Sequence, residues 1–153
     1  MDIKLPSAPK PIGAYDAGVI RQGIGFVSGQ FPLKDNVLAY TGKVGIDLSI
    51  EQAHKATELA ALNVLSQIHE LTDGFKQLDG ILRLEGYIAS APGFLEQPSV
   101  LNAASSLFKQ YLGEKGRHAR TVFSVDQLPL NSPVELCVTF AVYHPTYRRP
   151  SNK

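Results

Sequence analysis

The sequence predicts an α+β fold in which two helices pack on one face of a sheet. Three observations carry that prediction. The stretch after Ser49 repeats apolar residues at helical spacing, residues 81–90 alternate as a strand, and residues 134–143 carry no charge on either face beyond Glu135. The coarse order is strands, helix, strand, helix, strand, strand, which suits a two-layer arrangement with both helices on the same side.

In chain order, Pro6, Pro9 and Pro11 make residues 1–14 an extended arm, since each proline fixes φ and removes a ladder donor. Val19-Ile20-Arg21 and Gly25-Phe26-Val27-Ser28 read as short strands around the turn Gln22-Gly23-Ile24, and Asp35-Asn36 marks a further turn. Ser49-x-x-Gln52 has the form of a capping box, and Asp73-Gly74 supplies a stop. Between them Ala53, Ala56, Ala60, Val64, Ile68 and Leu71 fall on one stripe. Its alanines allow close approach to a sheet. His54, Lys55, Glu58, Gln67 and Glu70 read as the solvated face.

In residues 81–90, Leu82, Leu84 and Ile88 face one way and Arg83, Glu85 and Tyr87 the other. A second helix is expected from Pro98 to about Leu112, ended by Gly113, with Leu101, Ala104, Leu107, Phe108 and Tyr111 as its stripe. In the last strand Leu136, Val138, Phe140 and Val142 line one face, and Cys137, Thr139, Ala141 and Tyr143 the other. Both faces therefore need cover. Two helices cover one; another subunit is expected on the second.

A chain of 153 residues fits one compact domain, 1–153, with a polar tail at 145–153. Fifteen basic and fourteen acidic residues leave +1, so no global field favours a polyanion such as nucleic acid. The basic cluster Arg148, Arg149 and Lys153 reads as a solubilising end. One cysteine, Cys137, excludes an internal disulfide and suits a reducing compartment. No apolar stretch reaches membrane-spanning length and the N-terminus lacks a signal-peptide core, so a soluble, cytoplasmic location is expected.

Most familiar motifs are absent. Gly23-x-Gly25-x-x-x-Gly29 has the wrong spacing for a dinucleotide fingerprint, and no phosphate loop exists. The four histidines do not cluster. His69-Glu70 is followed by Asp73 where a zinc-protease helix needs its second histidine. Cys137 sits mid-strand without a basic neighbour and reads as an inert thiol.

Arg120 stands apart. It is the only charge in Ala119-Arg120-Thr121-Val122-Phe123-Ser124-Val125, a run that reads as a mostly buried strand. A guanidinium there cannot shed its charge and needs a partner. Two readings are open: a structural ion pair with Glu135, or an anchor waiting for a ligand carboxylate.

Taken in order, Ile12-Gly13-Ala14-Tyr15, Val27-Ser28-Gly29-Gln30, the helix at 51–71, Arg120 with its strand, Leu128-Pro129 and Val134-Glu135 resemble the reactive-intermediate deaminase family (Rid or YjgF, also labelled L-PSP endoribonucleases). Gly42-Lys43-Val44-Gly45 and Gly116-Arg117-His118-Ala119-Arg120 are similar to its larger, chorismate-mutase-like subgroup. The resemblance implies a single mixed sheet with two helices on one face. It also implies a homotrimer whose open faces form a central barrel, with clefts between subunits. There Arg120 would grip a small imino- or keto-acid carboxylate through a bidentate pair. Tyr15, Ser28, Gly29 and Glu135 would line the same cleft, and Glu135 would hold or activate water. The implied reaction is hydrolysis of 2-imino or enamino acids to 2-oxo acids and ammonia, with no metal or cofactor. A carboxylate-binding trimer without catalysis and an endoribonuclease are the other classes. The sequence differs from the family at two positions: Val122 stands where many deaminases have cysteine, and Ala14 where they have proline.

Overall fold

The computed structural model describes residues 4–143, so the basic cluster of the tail lies outside the described residues. Strands β1 (Gly18–Arg21) and β2 (Ile24–Gln30) form a hairpin around Gln22 and Gly23. Both turn residues have positive φ, 49° and 82°, the geometry that matches a two-residue turn to strand twist. Ile24, read from sequence as a turn residue, opens β2 instead. Strands β3 (Leu33–Lys34) and β4 (Val37–Leu38) pair across Asp35-Asn36.

Helix α1 (Ile50–Leu71) begins as its sequence predicts. The Gln52 backbone N–H donates to Ser49 Oγ, and the Ser49 N–H donates to the Gln52 side chain at 2.9 Å. Its alanine stripe is buried completely, with Val64 and Ile68. Gln67 is also buried, not solvated. Its amide donates to Pro9 O at 2.7 Å, because the proline-rich arm lies along this side of the helix. Ser66 likewise donates to Pro6 O.

Strand β5 (Leu78–Ala89), helix α2 (Gln97–Leu112), a 3-10 turn (Gly113–Gly116), strand β6 (Ala119–Val125) and strand β7 (Val134–Val142) complete the chain. The main sheet has the order β1-β2-β7-β5-β6, mixed because only β5 and β6 are parallel. Helix α2 makes that parallel crossover, a connection too long for a hairpin. The strand with uncharged faces, β7, lies at the centre as its composition requires.

Leu136, Val138 and Phe140 of β7 face α1 and α2 in one core with Leu84, Ile88, Leu101 and Phe108. On the opposite face Cys137, Thr139 and Ala141 are only half-buried, and Phe26 beside Thr139 is exposed. Among the described residues, helices thus cover one side of the sheet and the other lies open.

Two further expectations need correction. Leu82 is 44% exposed whereas Ile81 is buried, because a bulge in the β5–β7 register between Ile81 and Arg83 shifts the alternation by one residue. Strand β6 is not mostly buried either. It pairs only with β5 at the sheet edge, and Arg120 and Phe123 are exposed.

Gly25 of β2 faces Phe140 of β7, and a methyl group there would run into the Phe140 ring. Gly25→Ala is therefore expected to destabilise the fold by about 1–3 kcal/mol through overpacking. Urea unfolding reads this as a lowered midpoint; an unchanged midpoint would mean that the ring can step aside.

Candidate functional site

The sequence-predicted residues fall into two groups. Tyr15, Ser28, Gly29 and Glu135 gather at the β1-β2 side of the sheet. Tyr15 and Gly29 line one cleft with Pro9, Ile12, Ala17 and Phe31. Ser28 Oγ donates to Asp16 O at 2.7 Å, which ties the segment after Tyr15 to β2.

A β-bulge builds this corner. Val27 pairs with Val138 and Gln30 with Leu136, so Ser28 and Gly29 together span a single residue step of β7. Such bulges re-aim side chains at functional sites. Gly29 has no side chain here for a steric reason: a Cβ would collide with Glu135 Oε1. The carboxylate lies directly against that backbone. No hydrogen bond or ion pair to Glu135 is found among the described residues, and burial raises its carboxyl above the ordinary range. Cys137, two residues along the same face, is pushed up to about 11, by burial first and then by the Glu135 and Glu85 charges. That keeps it a thiol, as the sequence suggests.

Arg120 is elsewhere. It is in register with Leu84, a core residue beneath the helices, whereas Glu135 is in register with Tyr87. Directly paired residues share a sheet face. The Tyr87 ring stacks on Phe123 at 5.4 Å on the open side. Arg120 and Glu135 therefore lie on opposite faces and form no ion pair within the chain. Three strand spacings separate β2 from β6, roughly 14 Å.

Arg120 is held by neutral acceptors. Its NH1 donates to Ser105 Oγ at 3.1 Å and its NH2 to Pro98 O at 3.3 Å, both on α2. A guanidinium carries five N–H donors, so three are left for a ligand. Val122 follows on the same strand face and offers no polar group at the position of the family cysteine.

Sequence reasoning missed the group that supports Arg120. Ser105 Oγ lies 3.0 Å from His118 Nε2, and His118 Nδ1 lies 2.7 Å from Gly116 O. His118 lies within the Gly116-Arg117-His118-Ala119-Arg120 motif, but helix periodicity gives no reason to single out Ser105. A second missed cluster joins Ser90, Ser124 and Gln97. The two hydroxyls are 2.7 Å apart and the Gln97 amide donates to Ser90.

Protein TCP17 of Trypanosoma cruzi is 35% identical over 137 residues, covering 89% of this chain and 86% of its own. The crystal structure of Atu1372 from Agrobacterium tumefaciens superposes with a TM-score of 0.86 at 36% identity, over 93% of this chain and 87% of that one. A Shewanella oneidensis structure, described as "a putative endoribonuclease", gives a TM-score of 0.87 at 30% identity, over 91% of this chain and 92% of that one. Residues 1–143 match the family described as "YjgF/chorismate_mutase-like, putative endoribonuclease", and the chain belongs to this YjgF, or Rid, family.

Proposed function

We propose that this protein hydrolyses reactive 2-imino or enamino acids to 2-oxo acids and ammonia, in clefts formed between copies of the chain. The observation that carries the reading is the state of Arg120. It is an exposed cation on a sheet edge, oriented by two neutral oxygens and facing no carboxylate of its own chain among the described residues. An α-carboxylate fits its remaining donors.

The second half of the cleft comes from another copy. Within one chain Arg120 and the Tyr15, Ser28, Gly29 and Glu135 group lie across the sheet from each other. A homotrimer that covers the open face brings one copy's β6 edge towards another's β1-β2 corner. Closed rotational symmetry allows the same contact to repeat three times.

The chemistry follows from the substrate. A protonated imine is already electrophilic at carbon, so orientation supplies much of the rate. Water adds its oxygen to that carbon while Glu135 takes a proton from it. The proton then passes from Glu135 to the amine nitrogen. As the C–N bond breaks, the carboxylate of Glu135 takes the hydroxyl proton, so the carbonyl forms and ammonia leaves, and that proton goes out on ammonium. The balance closes with water alone. Burial of Glu135 suits this role because a raised pKa makes a carboxylate a stronger base.

Val122 favours a second reading. With no thiol beside the arginine, the cleft can serve as a carboxylate-binding site without turnover. A net charge of +1 counts against ribonuclease action.

Three outcomes are expected. Sedimentation equilibrium at micromolar concentration should give a trimer, and Thr139→Asp should dissociate it, since an uncompensated buried charge costs several kcal/mol; a stable wild-type monomer would contradict the shared cleft. Calorimetry with 2-oxobutanoate should show Arg120→Lys losing about 2–5 kcal/mol of binding, in the range for truncating a charge-assisted pair. Equal binding by both proteins would remove Arg120 from the site.

The third concerns Glu135 and pH. A base must be ionised, so kcat for ammonia release should fall as pH drops through a pKa above the usual carboxylate value, and Glu135→Gln should lower kcat more than it raises KM. The stability effect has the opposite sense. A folded-state pKa raised by burial means that ionisation weakens the fold, so Glu135→Gln should melt higher at pH 7. That gap should close as pH falls below both pKa values. A gap that persists unchanged at pH 3 would assign the effect to packing.

A further inference from the structure

We infer that Ser105 and His118 are positioning residues for Arg120, setting the orientation of its guanidinium through a hydrogen-bond chain of fixed direction. The inference rests on Arg120 being the carboxylate anchor and extends that reading to residues that touch no substrate.

The direction of the chain follows from one backbone carbonyl. Gly116 O can only accept, so the 2.7 Å contact requires His118 Nδ1 to carry the proton. In the neutral ring Nε2 is then an acceptor. The Ser105 hydroxyl, 3.0 Å away, spends its single proton on that nitrogen. Its lone pairs are left for the Arg120 NH1, at 3.1 Å. Each link removes a choice from the next one. The hydroxyl cannot rotate to present its hydrogen to the guanidinium, so the cation always meets an acceptor.

The surroundings hold this arrangement. Gly116 lies so close to α2 that a Cβ would collide with Phe108 O, which fixes the carbonyl that sets the tautomer. The Phe108 ring meets the His118 ring edge-on at 5.7 Å and limits its rotation. Burial lowers the His118 pKa, the Gly116 hydrogen bond opposes that shift, and the Lys109 and Arg120 charges add to it. The ring is therefore neutral at pH 7.5. The Pro98 carbonyl takes NH2 from the other side, so α2 grips the guanidinium at two points seven residues apart, Pro98 and Ser105. Three donors are left for the carboxylate in a plane defined by the helix.

Whole protein at pH 7.5 tests this, with calorimetric titration of 2-oxobutanoate and of its uncharged amide. Ser105→Ala is expected to weaken 2-oxobutanoate about fivefold to tenfold, the size of one ordinary net hydrogen bond. Ser105→Thr, which keeps the hydroxyl, should bind as wild type. His118→Phe should weaken binding as well, because the freed hydroxyl can turn its proton towards Arg120. The amide should bind weakly and equally to all of these proteins, and Ser105→Ala should melt with the wild type. Ring 15N NMR should show His118 protonated at Nδ1. The inference is overturned if Ser105→Ala binds the carboxylate like wild type, if Ser105→Thr fails to restore binding, or if the ring carries its proton on Nε2. If those losses are absent while Arg120→Lys still loses binding, only the positioning role falls. If wild type and Arg120→Lys bind equally, or neither binds, the anchor falls and the positioning role with it.

Discussion

The fold depends on how the two faces of β7 are covered. This strand sits between β2 and β5, and its alternate residues Leu136, Val138 and Phe140 meet the helices with no exposure to speak of. Helix α1 can lie that close because the residues it presents at successive turns are Ala53, Ala56 and Ala60, which keep the helix axis near the sheet. Everything else is arranged around this contact. β2 and β5 flank the strand, the hairpin partner β1 and the edge strand β6 complete the sheet, and α2 fills the remaining part of the same face. The opposite face has no layer of its own among the described residues, and that asymmetry is the physical ground for the assembly proposed above.

The same strand also positions the carboxylate to which the proposal above gives the role of base. Glu135 lies one residue from the start of β7, on the open face, with its carboxylate against the backbone of Gly29. A carboxylate with no hydrogen-bond donor among the described residues is unfavourable when half-buried. It is tolerable here where a water or a substrate can reach it. The bulge at Ser28 and Gly29 creates the gap it occupies, and the second bulge, at Ile81 to Arg83, turns Leu82 outwards. Both irregularities flank the central strand.

Arg120 solves a different problem. A cation on an edge strand would be free to sweep through many rotamers, and holding a flexible side chain costs entropy that a ligand contact must recover. Two oxygens of α2 restrict it in advance without neutralising its charge. A carboxylate partner would have restricted it equally well but would also have neutralised the charge that the proposed ligand needs. Neutral acceptors leave the full charge available, and in the hydrogen-bond chain inferred above the His118 ring keeps one of them an acceptor.

The sequence alone determined the helices, their caps, the buried stripe of α1 and the central strand, because these follow from periodicity and local hydrogen bonding. Ser49 and Gln52 cap one another within four residues, and the uncharged faces of β7 need no knowledge of neighbours to be recognised. It also carried the motifs that mark the family, and it singled out Arg120 as an isolated charge, although the strand around it is exposed and not buried. Tertiary structure decided the rest. Burial of Gln67 depends on where an arm some sixty residues earlier comes to lie. The exposure of Leu82 depends on a register shift against β7. The edge position of β6, and the placement of Arg120 and Glu135 on opposite faces, depend on the order in which strands pair. Pairing order and bulges are non-local: they are set by which surfaces the whole chain can bury together, and no run of residues specifies them.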